Sequence, residues 1–405
     1  MKESRTIRQL RNIALWAVLA AAPAVFGADA NPTVTKATAV APKVPGKERV
    51  AKISLTEITA IGAHKGWFQE EYAKINARPE LVNITQLSTV LGAEASLLDR
   101  GDLHITSRMA YPAAQHRANG LDAVIIWQSV NAHPRRATIP VLASTDIRSV
   151  ADLVGKKFGS STIGCPYYAG VEAIKVAGHS VDTEAEKGDI RFVNITGVAG
   201  TSAFLAGRID ALGTHPGTSA TAPLYIQNQV REVATAVPDG AYVTAGGRTA
   251  YFAMRKWALE NPDLVKAFLL GYDRTIRWLN SDNGAHWDEA AQIAARETRE
   301  PKSVALYDLQ DVSRISWSWG QPDYQEAVDS IKKFQQYAIS IKDPFFTKHH
   351  LSDKQIETFV DKRFFAGGEY FVDTSEHPQK STQTQTSLPV DAKAGVQLAQ
   401  ASDLK

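Results

Sequence analysis

A run of small and hydroxyl residues, Gly159-Ser160-Ser161-Thr162-Ile163-Gly164, lies between a strand pattern ending near Phe158 and a helical pattern beginning near Pro166. Proline is tolerated in a first helical turn because its missing N–H would have had no partner there. A strand, a loop of small residues and a helix start gather outward-pointing backbone N–H groups, hydroxyl donors and the positive end of a helix dipole, which is chemistry for holding a small anion. Ser160, Ser161 and Thr162 are therefore candidate ligand contacts. The plainer reading of the same residues is a strand-to-helix turn whose hydroxyls cap the helix.

Five other positions, all near strand ends, are candidate ligand contacts. Ser107 and Arg108 close the strand pattern of residues 102–106, and an arginine there brings parallel N–H donors for an oxyanion. Thr56 and Glu57 follow the first strand pattern; a carboxylate at that point suits an amine-bearing ligand and opposes a simple anion. His215 lies just past a strand end. Cys165, at the start of a helix, is a nucleophile if its pKa is lowered and a small packed residue if not. Trp317 and Trp319, two apart, suit either stacking on a ligand or packing with one ring inward and one outward. His349 and His350 are adjacent and point apart, so they do not suit a shared ion. No Gly-rich lysine loop of the nucleotide-binding type occurs. No catalytic residue, cofactor or metal ligand is assigned.

The elements that must position these residues alternate. Strand patterns at 52–55, 81–87, 102–106 and 122–129 alternate with helical patterns at 58–74, 93–99 and 113–118. The scheme restarts with strand patterns at 138–143, 158, 189–195, 209–212 and 230–237, and helices at 167–177 and 200–206. Such alternation predicts two α/β lobes, each with parallel strands covered on both faces and ligand-facing loops at the strand carboxyl ends. From Tyr251 onward the pattern is helical, with Leu264, Phe268, Tyr272 and Ile276 on one face and Asn261-Pro262 at its start.

Length and composition limit what surrounds this scheme. The chain has 405 residues, 44% hydrophobic and 22% charged, enough for two real cores. A formal net charge of +2 gives no footprint for nucleic acid. Lys2, Arg5, Arg8 and Arg11 precede an apolar run at 13–26, broken by Pro23 and followed by Ala28-Asp29-Ala30. That pattern predicts a cleaved signal peptide over residues 1–30 and export to the periplasm. Residues 31–47 read as a linker and residues 376–405 as a disordered tail. One cysteine cannot form an internal disulfide, so the exported protein relies on its core alone.

Several stretches together resemble the periplasmic substrate-binding proteins of ABC importers for aliphatic sulfonates, taurine and nitrate. They are Ala63-His64-Lys65-Gly66-Trp67-Phe68, Gly101-Asp102-Leu103-His104-Ile105, Ser149-Val150-Ala151-Asp152-Leu153-Val154-Gly155-Lys156-Lys157, Gly207-Arg208-Ile209-Asp210-Ala211 and Glu260-Asn261-Pro262-Asp263-Leu264-Val265-Lys266. The resemblance implies a two-lobed type II binding-protein fold in which each lobe is a mixed sheet flanked by helices. It implies crossovers near 138–144 and 245–253, with residues 48–140 and 245–375 forming lobe 1 and residues 141–244 forming lobe 2. It further implies a monomer that holds a small organic anion in the interlobe cleft and delivers it to a permease and its ATPase. The alternative on this scaffold is an enzyme, desulfinase-like or pyrimidine-processing. A relative of the desulfinase kind carries its cysteine in the first strand-to-helix loop, where this chain has Thr56 and Glu57. The chain also departs from many relatives after Asp210-Ala211, where Leu212-Gly213-Thr214-His215-Pro216 replaces an aromatic residue and an Asp-Pro pair.

Overall fold

The computed structural model describes residues 46–84, 92–162, 164–182, 187–195, 197–312 and 322–372. The expected signal peptide, most of the linker, the tail, Trp317 and Trp319 lie outside the described residues.

The chain builds two sheets in succession. The strands of the first are β1 (Arg49–Ser54), β2 (Ala77–Val82), β3 (Ile105–Met109) and β4 (Ala123–Gln128), joined by β11 (Thr249–Met254) from much later in the chain. Its helices are α1 (Glu57–His64), α2 (Trp67–Ala73), α3 (Ala93–Asp99) and α4 (Ala110–Ala118). The second sheet holds β5 (Thr138–Leu142), β6 (Lys157–Ser160), β7 (Val181–Asp182), β8 (Ile190–Asn194), β9 (Ala211–Leu212) and β10 (Val230–Thr235), with α5 (Cys165–Val176), α6 (Gly197–Leu205) and α7 (Ala222–Ile226). The chain then returns through β11 to α8 (Arg255–Glu260), α9 (Pro262–Asn280), α10 (Trp287–Thr298), α11 (Lys302–Tyr307), α12 (Tyr324–Ser340) and α13 (Asp353–Phe359).

The two sheets share one wiring. The first runs β2-β1-β3-β11-β4; the second, read from β8, runs β8-β6-β9-β5-β10, with β7 added outside β8. Each thus has its second, first and third strands in parallel, then a strand lent by the other half, then its fourth. The lent strands run antiparallel to both neighbours: β11 against β3 and β4, β5 against β9 and β10. That makes both sheets mixed where alternation alone predicts parallel ones.

Local chemistry moves some element ends. The helical pattern at 58–74 is two helices, because Gly66 takes a positive φ of 80° that a side chain resists. The strand expected at 102–106 is β3, three residues later, since pairing with β11 carries it to Met109. The strand expected at 81–87 pairs with β1 over Ala77–Val82 instead, and residues 85–91 lie outside the described residues. In α9, Leu264, Phe268, Tyr272 and Ile276 are buried as their spacing predicts. Asn261 stands at the N-cap of α9, but its side chain donates to the Trp257 carbonyl at 2.9 Å and does not cap.

The first core wraps the first sheet with Phe68, Trp127, Phe252, Phe268 and α9. A separate, mostly aromatic cluster of Tyr111, Tyr168, Tyr242, Phe334 and Phe346 fills the region where the chain passes between the sheets. Helix α12 spans both regions. Its Ser330 accepts from Gln128 of β4 at 3.3 Å, and its Tyr337 donates to the Tyr168 carbonyl of α5 at 2.7 Å.

Candidate functional site

A cavity of about 550 Å³ opens where the ends of β3, β6 and β9 face the starts of α3, α4, α5 and α6. Arg108, Ser160, Ser161 and His215 line it, together with Glu94, Tyr111, His116 and Cys165. Thr56, Glu57, Ser107 and Thr162 are not among its lining residues.

The second-sheet wall carries the donors. Ser160 ends β6 and is 1% exposed, and its hydroxyl has no hydrogen-bond partner among the described residues. One residue past β9's pairing to β6 at Gly159–Leu212, the chain passes so close that a Cβ on Gly213 would meet Ser160 Oγ at 2.8 Å. Helix α5 starts from Gly164, and no side chain caps it. The Thr162 backbone N–H donates to Asn194 Oδ1 at 3.3 Å, within the turn.

The first-sheet wall carries an ion cluster. Glu94, 1% exposed in the first turn of α3, accepts from Arg108 Nε at 2.6 Å, from Arg108 Nη2 at 2.8 Å and from His116 Nε2 at 2.9 Å. Burial by itself pushes the Glu94 carboxyl up; the hydrogen bonds of His116 and Arg108 and the arginine's charge outweigh it and hold the carboxyl at about 2. The fork of Arg108 that the sequence offers to an oxyanion is thus turned onto Glu94. Ser107 and Arg108 lie within β3 and not beyond its end, so their side chains take opposite faces.

Thr56, Glu57 and Ser107 gather elsewhere. Thr56 caps α1 in a reciprocal capping box with Thr59, whose N–H donates to Thr56 Oγ1 at 3.2 Å while Thr59 Oγ1 accepts from the Thr56 N–H at 2.8 Å. The buried Tyr251 hydroxyl, pushed up by burial, lies within hydrogen-bonding reach of Thr56 and Ser107 and close to the Glu57 charge. His215 turns Nδ1 onto the Arg136 carbonyl. Its pKa is pulled down to about 4, by burial first and then by the Arg136 charge, while the bond to the carbonyl works against them.

Three residues here escape sequence reasoning. Glu94 and His116 sit in short helices whose pattern gives no hint of inward charge. Arg136 occupies the tight turn Pro134–Arg136 between β4 and β5, and its Nη2 lies 3.8 Å from Met109 Sδ. Its charge is felt at Cys165, His215, Tyr242 and Tyr251, and so by residues of the cavity lining and by the tyrosine of the Thr56 group. The available signal was His133-Pro134-Arg135-Arg136 wedged between two apolar strands.

Cys165 lies at the first position of α5, 1% exposed, with its sulfur 3.5 Å from the Tyr111 hydroxyl. Burial raises its pKa despite the hydroxyls of Tyr111 and Tyr242 and the Arg136 charge. A thiol kept protonated is a poor nucleophile. Among the described residues no group of three or more His, Cys, Asp or Glu is arranged to hold a metal ion.

The shared strand order, with one strand lent each way, defines the type II periplasmic-binding-protein fold, and solved structures carry the same fold. The alkanesulfonate-binding protein SsuA of Xanthomonas axonopodis pv. citri, bound to MOPS, superposes with a TM-score of 0.56 at 17% identity, covering 76% of this chain and 98% of that one. A Candida albicans gene product described as having the generic periplasmic binding protein fold matches with a TM-score of 0.51 at 12% identity, covering 78% of this chain and 96% of its own. A cysteine-to-serine mutant of DszB in complex with biphenyl-2-sulfinic acid matches with a TM-score of 0.54 at 12% identity, covering 80% and 97%. The chain belongs to the NMT1/THI5-like family, whose model matches residues 58–283. No curated protein sequence matches the chain.

Proposed function

We propose that this protein is a periplasmic solute-binding protein that captures a small organic anion, sulfonate-like in its head group, and delivers it to the permease of an ABC importer. The observation that carries this reading is the Ser160 hydroxyl, buried without a partner among the described residues, on a residue that lines the cavity at the uncapped start of α5. A buried hydroxyl left unbonded is costly, and an anionic oxygen in the cavity would bond it. The α5 dipole and the Arg136 charge favour negative charge at the same end. The likeness to SsuA supports the reading through the fold. The lobes of this reading are residues 48–140 with 245–375, and residues 141–244, closing about the two passages between the sheets. Ser160 and Ser161 hold the head group; Thr56 and Thr162 serve mainly their own helix and turn. A desulfinase-like role is disfavoured by the buried, protonated Cys165.

Thermal unfolding against a panel of taurine, alkyl and aryl sulfonates, nitrate and pyrimidines tests this. A ligand at a hundred times its dissociation constant stabilises the folded state by about 2.7 kcal/mol, a shift easily read. Stabilisation by a sulfonate and not by nitrate supports the reading. No shift from any member of the panel overturns it.

A further inference from the structure

Resting on the reading that the cavity holds an organic anion, we propose that His215 selects among such anions for those that also carry a hydrogen-bond donor, an amine or a hydroxyl, a few bonds from the head group. The geometry fixes what this imidazole offers. Its Nδ1 faces the Arg136 carbonyl, which only accepts, so Nδ1 carries the ring's hydrogen. A neutral ring bonded in that way presents Nε2 as a lone-pair acceptor. Nε2 has no hydrogen-bond partner among the described residues, and His215 lines the cavity.

The bond to the Arg136 carbonyl orients the ring, and the backbone that carries it is held from both sides. Thr221 Oγ1 donates to the His215 carbonyl at 2.7 Å, and Thr214 forms a bridge with Thr138. An acceptor fixed in advance discriminates sharply, because a ligand without a donor leaves it desolvated and unmatched. The anion end lies close by: Gly213 packs against Ser160, and His215 follows two residues later. Two extended residues span up to about 7 Å, so head group and donor are a few bonds apart. A bare alkyl anion satisfies Ser160 and fails His215, whereas an amino or hydroxy anion satisfies both.

Titration calorimetry on matched ligands tests the inference, using 2-aminoethanesulfonate, 2-hydroxyethanesulfonate and ethanesulfonate, with 3-aminobenzenesulfonate and benzenesulfonate as a larger pair. The wild-type protein is expected to bind the donor-bearing member of at least one set about tenfold tighter or more. In His215→Leu the difference within that set falls to about twofold, with binding of the plain sulfonate kept. Should the leucine variant fail to fold, His215→Gln provides the check, since its amide offers a donor as well as an acceptor and narrows the gap. Equal binding of plain and donor-bearing sulfonates by the wild type, or a preference that survives in the folded variant, overturns the inference while leaving anion capture standing. No binding of any of the five overturns anion capture and this inference together, an outcome told apart from the former by the missing heat.

Discussion

The two sheets of this protein have the same strand order, yet the helices that follow their first strands begin differently. In the first half, Thr56 and Thr59 close a capping box and spend the loop's hydroxyls on α1 itself. In the second half, α5 starts at Gly164 with no side-chain cap, and the nearest strand hydroxyl, that of the cavity-lining Ser160, is buried and left unbonded among the described residues. One wiring thus yields one self-sufficient helix start and one that awaits a partner. A hydroxyl at a strand-to-helix junction does not by itself mark a ligand site; whether the helix already uses it decides.

Buried carboxylates repeat the contrast. Glu94 in the first half meets Arg108 and His116, and its carboxyl is held at about 2. Glu172, on α5 in the second half, is pushed up by burial; the backbone N–H groups of Ala241 and Tyr242, at 2.6 and 3.2 Å, only partly offset this. The two should respond to acid with opposite sign. A depressed carboxyl stabilises the fold above its unfolded value, 4.5 here, and that stabilisation is lost as pH falls toward 2. The loss is at most about 3 kcal/mol. Urea unfolding from pH 5 to pH 2 should therefore be flatter in Glu94→Gln than in wild type, and the variant should be the less stable at pH 7 by about 2–3 kcal/mol. For Glu172, raised in the fold, the favourable contribution exists below its unfolded value and is lost as pH rises through its folded value. Glu172→Gln should thus cost no more than about 1 kcal/mol at pH 7. Equal acid slopes in wild type and Glu94→Gln would remove the distinction.

The capping contrast predicts a smaller effect. Thr56→Ala should cost about 1 kcal/mol of stability, read by chemical unfolding, and leave ligand affinity within about twofold. A large loss of affinity instead would move the ligand toward the Thr56, Ser107 and Tyr251 group. Cys165→Ser should change as little, with affinity within about twofold and stability lower by about 1 kcal/mol, since the thiol is packed and protonated. Loss of a turnover signal in that variant would reopen the enzyme reading.

Much of the fold was legible in the sequence because its signals are local. The βα alternation, the apolar strand 123–128 and the Leu264-Phe268-Tyr272-Ile276 face all follow from period and burial. Of the lent strands, β5 shows a strand pattern of its own at 138–143, whereas β11 escaped periodicity; that both insert antiparallel leaves no local trace, and the family resemblance supplied the crossovers. Of the cavity's lining, Ser160, Ser161 and His215 were legible by position at or just past strand ends. Arg108 was legible as a residue, but not in its role, since its partner Glu94 is 14 positions away and comes together with it only through the fold. Ser107 and Arg108 were read as a pair, and a strand extended by β11 separates them to opposite faces.

The measurement that bears most directly on this account is calorimetric titration of a stabilising sulfonate into wild-type and Ser160→Ala protein, alongside their unfolding curves. The account predicts about tenfold weaker binding in the variant, with stability unchanged or slightly higher because an unbonded buried hydroxyl is gone. Equal affinity in the two proteins would contradict it and place the anion somewhere other than the open start of α5.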